Sequence, residues 1–277
     1  MDDVFEVKDK YGLYDLVALT KLLRDPVRGC PWDKQQTHAS IRQNFIEETY
    51  EAVDAIDRGS AEDLREELGD VLLQVSLHCE MEREAGHFDI DDVVTELCQK
   101  LVLRHPHIFG DVTAKDSRTV LSNWEAIKRV EKSQSSGVEA IEAVPKALPS
   151  LMRSQKVQKR AGYVGFDYDG VSGALDALES ELCELRRAVD GDGDVEEELG
   201  DLLFAAVNVA RFQKLDAERA CEKACEKFAG RFAVVERLAA QRGVDLKTAG
   251  LEALDALWDE AKKVYSAGNC KLMEDIQ

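Results

Sequence analysis

The chain carries one ordered set of residues twice, and this repetition restricts it to folds that two similar halves can build. Residues 47–51 read Glu47-Glu48-Thr49-Tyr50-Glu51 and are followed by Glu67-Leu68-Gly69-Asp70. The later copy reads Ser180-Glu181-Leu182-Cys183-Glu184, followed by Glu198-Leu199-Gly200-Asp201. Each copy continues with a spaced basic pair, Lys100 and Arg104 or Lys227 and Arg231, and then with Trp124 and Lys128 or Trp258 and Lys262. The offsets stay close: 133 from Glu48 to Glu181, 131 from Glu67 to Glu198, 127 from Lys100 to Lys227 and 134 from Trp124 to Trp258. The pattern is that of a diverged duplication, with units of roughly 130 residues that can each bury a core.

The composition favours helix over strand, with 44% hydrophobic but only 6% aromatic residues, 5 prolines, and much Ala, Leu, Glu, Lys and Arg. Amphipathic spacing predicts helices over Leu13 to Leu23, Ile41 to Ile56, a Ser60-capped segment reaching about Met81, Asp89 to Leu103, and Val120 to Val130. Asp25-Pro26, Gly59, Gly86 and His105-Pro106 break them apart. Leu151 to Gly162 mirrors the first helix, Gly165-Phe166-Asp167 mirrors the Pro31-Trp32-Asp33 loop, and Gly191 and Gly193 stand at the break that Gly59 makes earlier. The expected architecture is all-α: two tandem four- to five-helix bundles, residues 1–132 and 145–277, joined by a polar linker over 133–144.

With 36 basic and 55 acidic side chains the formal charge is −19, which repels a phosphate backbone and argues against generic nucleic-acid binding. No apolar run of about 18 residues suits a membrane span. The acidic start Met1-Asp2-Asp3 is unlike a signal peptide, and 7 scattered cysteines fit reduced thiols, so a cytoplasmic protein is expected. Cys221 and Cys225 lie four apart, but no histidine follows position 107 to complete a zinc site.

Residues three or four apart share a helix face, so Glu48 and Glu51 point together, as do Glu67 and Asp70. Two such helices packed antiparallel gather four carboxylates, a hard oxygen donor set that suits Mg²⁺ or Mn²⁺ far better than zinc or iron. A di-iron bundle would need Glu-x-x-His from two helices. The only such spacing, Glu84 to His87, is interrupted by Gly86. Three acids at fixed spacing arise by accident about twice in a chain this acidic, so a lone acidic motif means little. The repeated order of acids, cations and tryptophan is what points to a site. Interior helical glycines cost about 1 kcal/mol, so Gly69 and Gly200 are expected to serve close helix packing beside Asp70 and Asp201. The basic pairs Lys100 with Arg104 and Lys227 with Arg231 have two readings, ordinary surface ion pairing or clamps for an anion that the metal also holds, with phosphate the natural candidate. Trp124 and Trp258 have two readings, stacking on a base or packing in the bundle.

Taken together, these residues resemble the MazG family of nucleoside triphosphate pyrophosphohydrolases in its two-domain bacterial form, from about Leu16 to Lys262. The resemblance rests on Gly29-Cys30-Pro31-Trp32-Asp33, Glu47 to Glu51, Leu64 to Asp70, Arg104-His105-Pro106-His107-Ile108-Phe109 and Trp124-Glu125 in the first half. In the second half Val164-Gly165-Phe166-Asp167, Glu196 to Asp201 and Lys227-Phe228 to Arg231-Phe232 carry it. It implies a homodimer that uses Mg²⁺ to hydrolyse nucleoside triphosphates to monophosphate and pyrophosphate. It further implies metal ligands at Glu48, Glu51, Glu67 and Asp70 and at Glu181, Glu184, Glu198 and Asp201. The basic residues Lys100, Arg104, Lys128, Lys227, Arg231 and Lys262, with Trp124 and Trp258, are the expected substrate contacts, and Glu47, Glu48 and Glu181 the expected catalytic carboxylates. Ser180 departs from the acidic pattern, and ligand count alone therefore favours the first unit as the active one. The alternative is a helical regulatory module, in one half or both, that binds nucleotide or protein without turnover.

Overall fold

The computed structural model describes residues 5–110, 116, 119, 120, 124, 127 and 136–274, the stretch 267–274 by its backbone alone. Among the described residues there is no strand. The chain divides into two compact units, Met1–Lys132 and Ser133–Gln277, each of which is a helical bundle.

In the first unit, α1 (Leu13–Arg24) leads through a 3₁₀ turn (Asp33–Gln35) to α2 (Arg42–Arg58), α3 (Ala61–Ala85), α4 (Ile90–Arg104) and the short α5 (Pro106–Phe109). The breaks fall where the sequence punctuates it. Gly59 ends α2 with φ of 69°, a left-handed conformation that a side chain would strain. Ser60 then accepts from the Asp63 N–H at 3.2 Å to start α3. A capping box at Asp89 starts α4. Helices α2 and α3 pack together, and α1 lies on α3. Ile41, Leu77 and Met81 form the core with Leu73 beside them, and a buried Thr20 to Ser76 hydrogen bond of 2.7 Å ties α1 to α3. The helix expected over Val120 to Val130 falls largely outside the described residues.

The second unit contains α6 (Gly137–Glu142), α7 (Ser150–Gly162), α8 (Val171–Val189), α9 (Val195–Phe212), α10 (Ala217–Arg242) and α11 (Leu251–Glu274). Helix α8 packs on α9, α7 on α9, and α10 on α11. Val234, Val235, Ala239, Leu257 and Ala261 form a core cluster between α10 and α11. The segment expected as linker is structured from Ser136 onward. Its hydroxyl caps α6 by accepting from the Glu139 N–H at 3.2 Å, Ala140 and Val144 are buried, and α6 packs on α7. The polar composition of 132–137 hid this, because the apolar residues that anchor the segment follow it.

Candidate functional site

Packing α2 against α3 converts the spacing of the acids into a cluster. Single carboxylate oxygens of Glu48, Glu67 and Asp70 all lie within 4.8 Å of one another, and Glu181, Glu198 and Asp201 repeat the arrangement between α8 and α9. Burial and then the neighbouring charges of Asp70 and Glu51 push the Glu48 carboxyl above the ordinary range. Burial, then Glu51, do the same to Glu67. Glu181 and Glu198 are raised by burial, with Glu184 the foremost charge acting on each. Each unit thus draws three of the four expected ligands into one compact group. Glu51 and Glu184 stand outside it but close enough to act on it electrostatically.

Two oxygens on opposite sides of a Mg²⁺ ion are about 4.2 Å apart, given bonds of about 2.0–2.1 Å. Three ligands of one ion cannot all stand opposite one another, so the oxygens of each triad have to draw together to share a hard cation; their oxygen-only donor set and mutual repulsion fit such an ion.

Glu47 lies beside the first triad, accepting a hydrogen bond from Gln43 Nε2 at 3.4 Å, and its charge contributes to raising Glu48. At the matching place Ser180 donates to Glu184 Oε1 at 3.0 Å. Lys100 turns to Glu96 on its own helix, 3.4 Å away. The Arg104 guanidinium sits over the Trp124 ring at 5.4 Å, and Lys128 lies outside the described residues. In the second unit Arg231 reaches over the Tyr265 ring at 6.0 Å, its Nε buried without a hydrogen-bond partner. Lys262 pairs with Asp259 at 2.6 Å. Trp258, partly buried, packs on the α10 and α11 core and on Phe228, centroids 5.3 Å apart.

The reason expected for the two helical glycines is corrected. A β-carbon added at Gly69 or at Gly200 would meet nothing within 4 Å. Neither glycine serves close packing inside its unit, because both sit on an open helix face. Leu68 and Leu72 beside the first, and Leu199 and Leu203 beside the second, are exposed there.

One feature has no signal in the spacing of the sequence. The loop carrying Asp167 is held by a two-pronged ion pair to Arg211 on α9, with Nη1 to Oδ2 at 2.9 Å. Next to it a cavity of about 460 Å³ is walled in part by Phe166, Tyr168 and Phe204 and by the amides of Gln158 and Asn208. Only the contact between α7 and α9 brings residues 158 and 208 together.

Fold and site together define an all-α protein that carries one helical unit with a carboxylate triad twice. The chain matches the model of the MazG nucleotide pyrophosphohydrolase domain over residues 36–109 and 171–235, one segment in each unit and each containing its acidic triad, and it belongs to that family. It is 45% identical over 252 residues to a nucleoside triphosphate pyrophosphohydrolase of Escherichia coli (strain K12), covering 90% of this chain and 96% of that protein. It is 42% identical over 248 residues to the nucleoside triphosphate pyrophosphohydrolase/pyrophosphatase MazG of Thermotoga maritima, covering 90% and 94%. An uncharacterized protein of Bacillus subtilis, YabN, is 45% identical over 249 residues, which make up 89% of this chain and 50% of that longer protein.

Proposed function

We propose that this protein is a nucleoside triphosphate pyrophosphohydrolase that depends on Mg²⁺, with Mn²⁺ able to replace it, and that yields nucleoside monophosphate and pyrophosphate. The observation that carries the reading is the pair of three-carboxylate clusters, one in each family-matched segment. The names of the full-length relatives support the substrate class.

In this reading each of the two units works as a catalytic domain. Glu48, Glu67 and Asp70, with Glu51 swinging in, hold the cation in the first unit, and Glu181, Glu198, Asp201 and Glu184 do so in the second. A divalent ion bound there neutralises the polyphosphate and makes a water molecule more acidic. Water attacks the α-phosphorus in line as the bond to the β-phosphate oxygen breaks. Glu47, next to the first triad, orients that water and takes its proton, and in the second unit, where Ser180 offers no carboxylate, Glu181 does so. Lys100 and Arg104, or Lys227 and Arg231, balance the charge of the departing pyrophosphate. Lys262 joins them only by leaving Asp259.

The reading includes a homodimer. Helix α4 has no buried residue, yet Val93, Val94, Leu97 and Leu101 are apolar and exposed. The open leucine faces beside Gly69 and Gly200 repeat at the same offset of 131 residues. Apolar helix faces repeated in this way call for a covering partner, and a second copy of the chain supplies it. No helix of the described residues is long and apolar enough to cross a membrane.

The test is hydrolysis of the eight standard nucleoside triphosphates with Mg²⁺ and with EDTA. Monophosphate and pyrophosphate are expected with the metal alone. Release of orthophosphate and a diphosphate nucleotide would overturn the reading.

A further inference from the structure

The acids and cations of the second unit provide for a metal and for phosphates, but not for a base. The cavity beside Asp167 supplies what they lack. Phe166, Tyr168 and Phe204 give it aromatic walls that remain partly exposed. Its two amides have fixed orientations. Gln158, only 6% exposed, donates from Nε2 to the Phe204 carbonyl at 2.7 Å, so the amide cannot be reversed, and its Oε1 has no hydrogen-bond partner. A buried acceptor left unsatisfied is uncommon and marks a place that something else completes. Asn208 accepts from Arg211 Nε through Oδ1 at 2.8 Å, which leaves its Nδ2 as a donor. Arg211 is in turn held by Asp167.

Asn208 follows Asp201 by seven residues on α9, so it lies two turns along the same face, about 10 Å from the acidic triad. That is the reach of a sugar and base beyond the α-phosphate. We propose that this cavity is the base-recognition pocket of the second unit, with Gln158 Oε1 accepting from, and Asn208 Nδ2 donating to, the edge of a nucleobase held among Phe166, Tyr168 and Phe204. A base edge offers a donor beside an acceptor, and its ring faces stack on aromatic side chains. The inference rests on the reading of Glu181, Glu198 and Asp201 as the metal site for a nucleoside triphosphate.

The first unit shows what the same place looks like when it is filled. At the offset of 134 residues that relates Asp33 to Asp167, Gln158 corresponds to Arg24. At the 131 that relates Glu67 to Glu198, Asn208 corresponds to Leu77. Arg24 spends its guanidinium on the Asp33 and Gln36 carbonyls at 2.7 and 3.1 Å and on Glu84, and Leu77 is buried in the core. Recognition by a pair of amides therefore belongs to the second unit.

The experiment titrates the full chain, carrying Asp70→Asn to weaken the first triad, with the α,β-methylene analogues of ATP, GTP, CTP and UTP and with inorganic tripolyphosphate, all with Mg²⁺. At least one analogue is expected to bind about tenfold more tightly than tripolyphosphate. Asn208→Ala should remove most of that advantage and leave tripolyphosphate unchanged, and Asn208→Asp, which turns the donor into an acceptor at constant size, should reorder the bases. Analogues bound no better than tripolyphosphate, or a loss in Asn208→Ala shared equally by tripolyphosphate, would overturn the proposal. A parallel hydrolysis assay separates the two readings: base-dependent binding controlled by Asn208 without turnover refutes the proposed activity and leaves the pocket standing.

Discussion

Ser180 donates its hydroxyl hydrogen to Glu184 at 3.0 Å, at the place where the first unit has the carboxylate of Glu47. The duplication thus exchanged a negative charge for a donor that holds a neighbouring acid in place. Ligand count, which favours the first unit, overlooks this, because the tether restricts the rotation of Glu184, the foremost charge acting on Glu181 and Glu198. Ser180→Ala should raise the Mg²⁺ concentration needed for half-maximal turnover by the second unit, with the melting temperature unchanged. A magnesium titration of a chain with Asp70→Asn checks it.

The crowded acids should cost the metal-free protein stability. Glu48 and Glu181 titrate above the ordinary carboxylate range in the folded chain. A raised folded-state value contributes stability below the ordinary range and loses it as pH rises through the raised value. At neutral pH Glu48→Gln and Glu181→Gln should therefore raise the melting temperature in EDTA while impairing turnover. Saturating Mg²⁺ should stabilise the parent by about 2.7 kcal/mol at a hundred times its dissociation constant, and the variants by less. Calorimetry with and without metal decides both.

If Glu51 and Glu184 serve as ligands, turnover should disappear in the double variant Glu51→Gln with Glu184→Gln while the helical circular dichroism persists. Either single variant leaves one unit intact. Full activity in the double variant would exclude both as ligands.

Gly69→Ala and Gly200→Ala should each stabilise the isolated chain by up to about 1 kcal/mol, because the added methyl meets open space in a helix interior. Urea unfolding at low protein concentration measures this. A gain that vanishes as concentration rises would show that a second copy covers the glycine face.

The Asp167 carboxyl is held below the usual carboxylate range by its hydrogen bonds from Arg211. A depressed value contributes stability above the ordinary range and loses it as pH falls through the depressed one. Asp167→Asn should therefore cost about 2 kcal/mol at neutral pH, in keeping with charge-assisted hydrogen bonds, and little at pH near 2. Denaturant curves at the two values test it.

Much of this was legible in the sequence for definite reasons. Helix ends could be read because Gly59, Gly86, Asp89 and Pro106 act through local backbone geometry, which needs no knowledge of the fold. The triads could be read because a helix fixes which residues share a face. The separation of Glu51 and Glu184 from their triads depends on side-chain rotation, which spacing does not encode. The empty surroundings of Gly69 and Gly200 were misjudged because an interior glycine does not say from which side anything approaches. Gln158 and Asn208 were missed because their meeting is a product of packing between helices fifty residues apart in the chain.

The loop that follows α1 in the first unit and the loop that follows α7 in the second are each latched by an arginine, but not by the same one. In the first unit the latch is Arg24, reaching from α1 to the backbone at Asp33 and Gln36. In the second it is Arg211, reaching from α9 to the side chain of Asp167. The two copies have reached one mechanical result by different wiring, so their parts are no longer spare parts for each other. A recombinant that carries α7 in place of α1 would bring Gln158 to a loop built for a guanidinium. The reverse exchange would set Arg24 beside Arg211 with one carboxylate between them. Each latch ties its two partners to one another, and an exchange of single helices between the halves would part them.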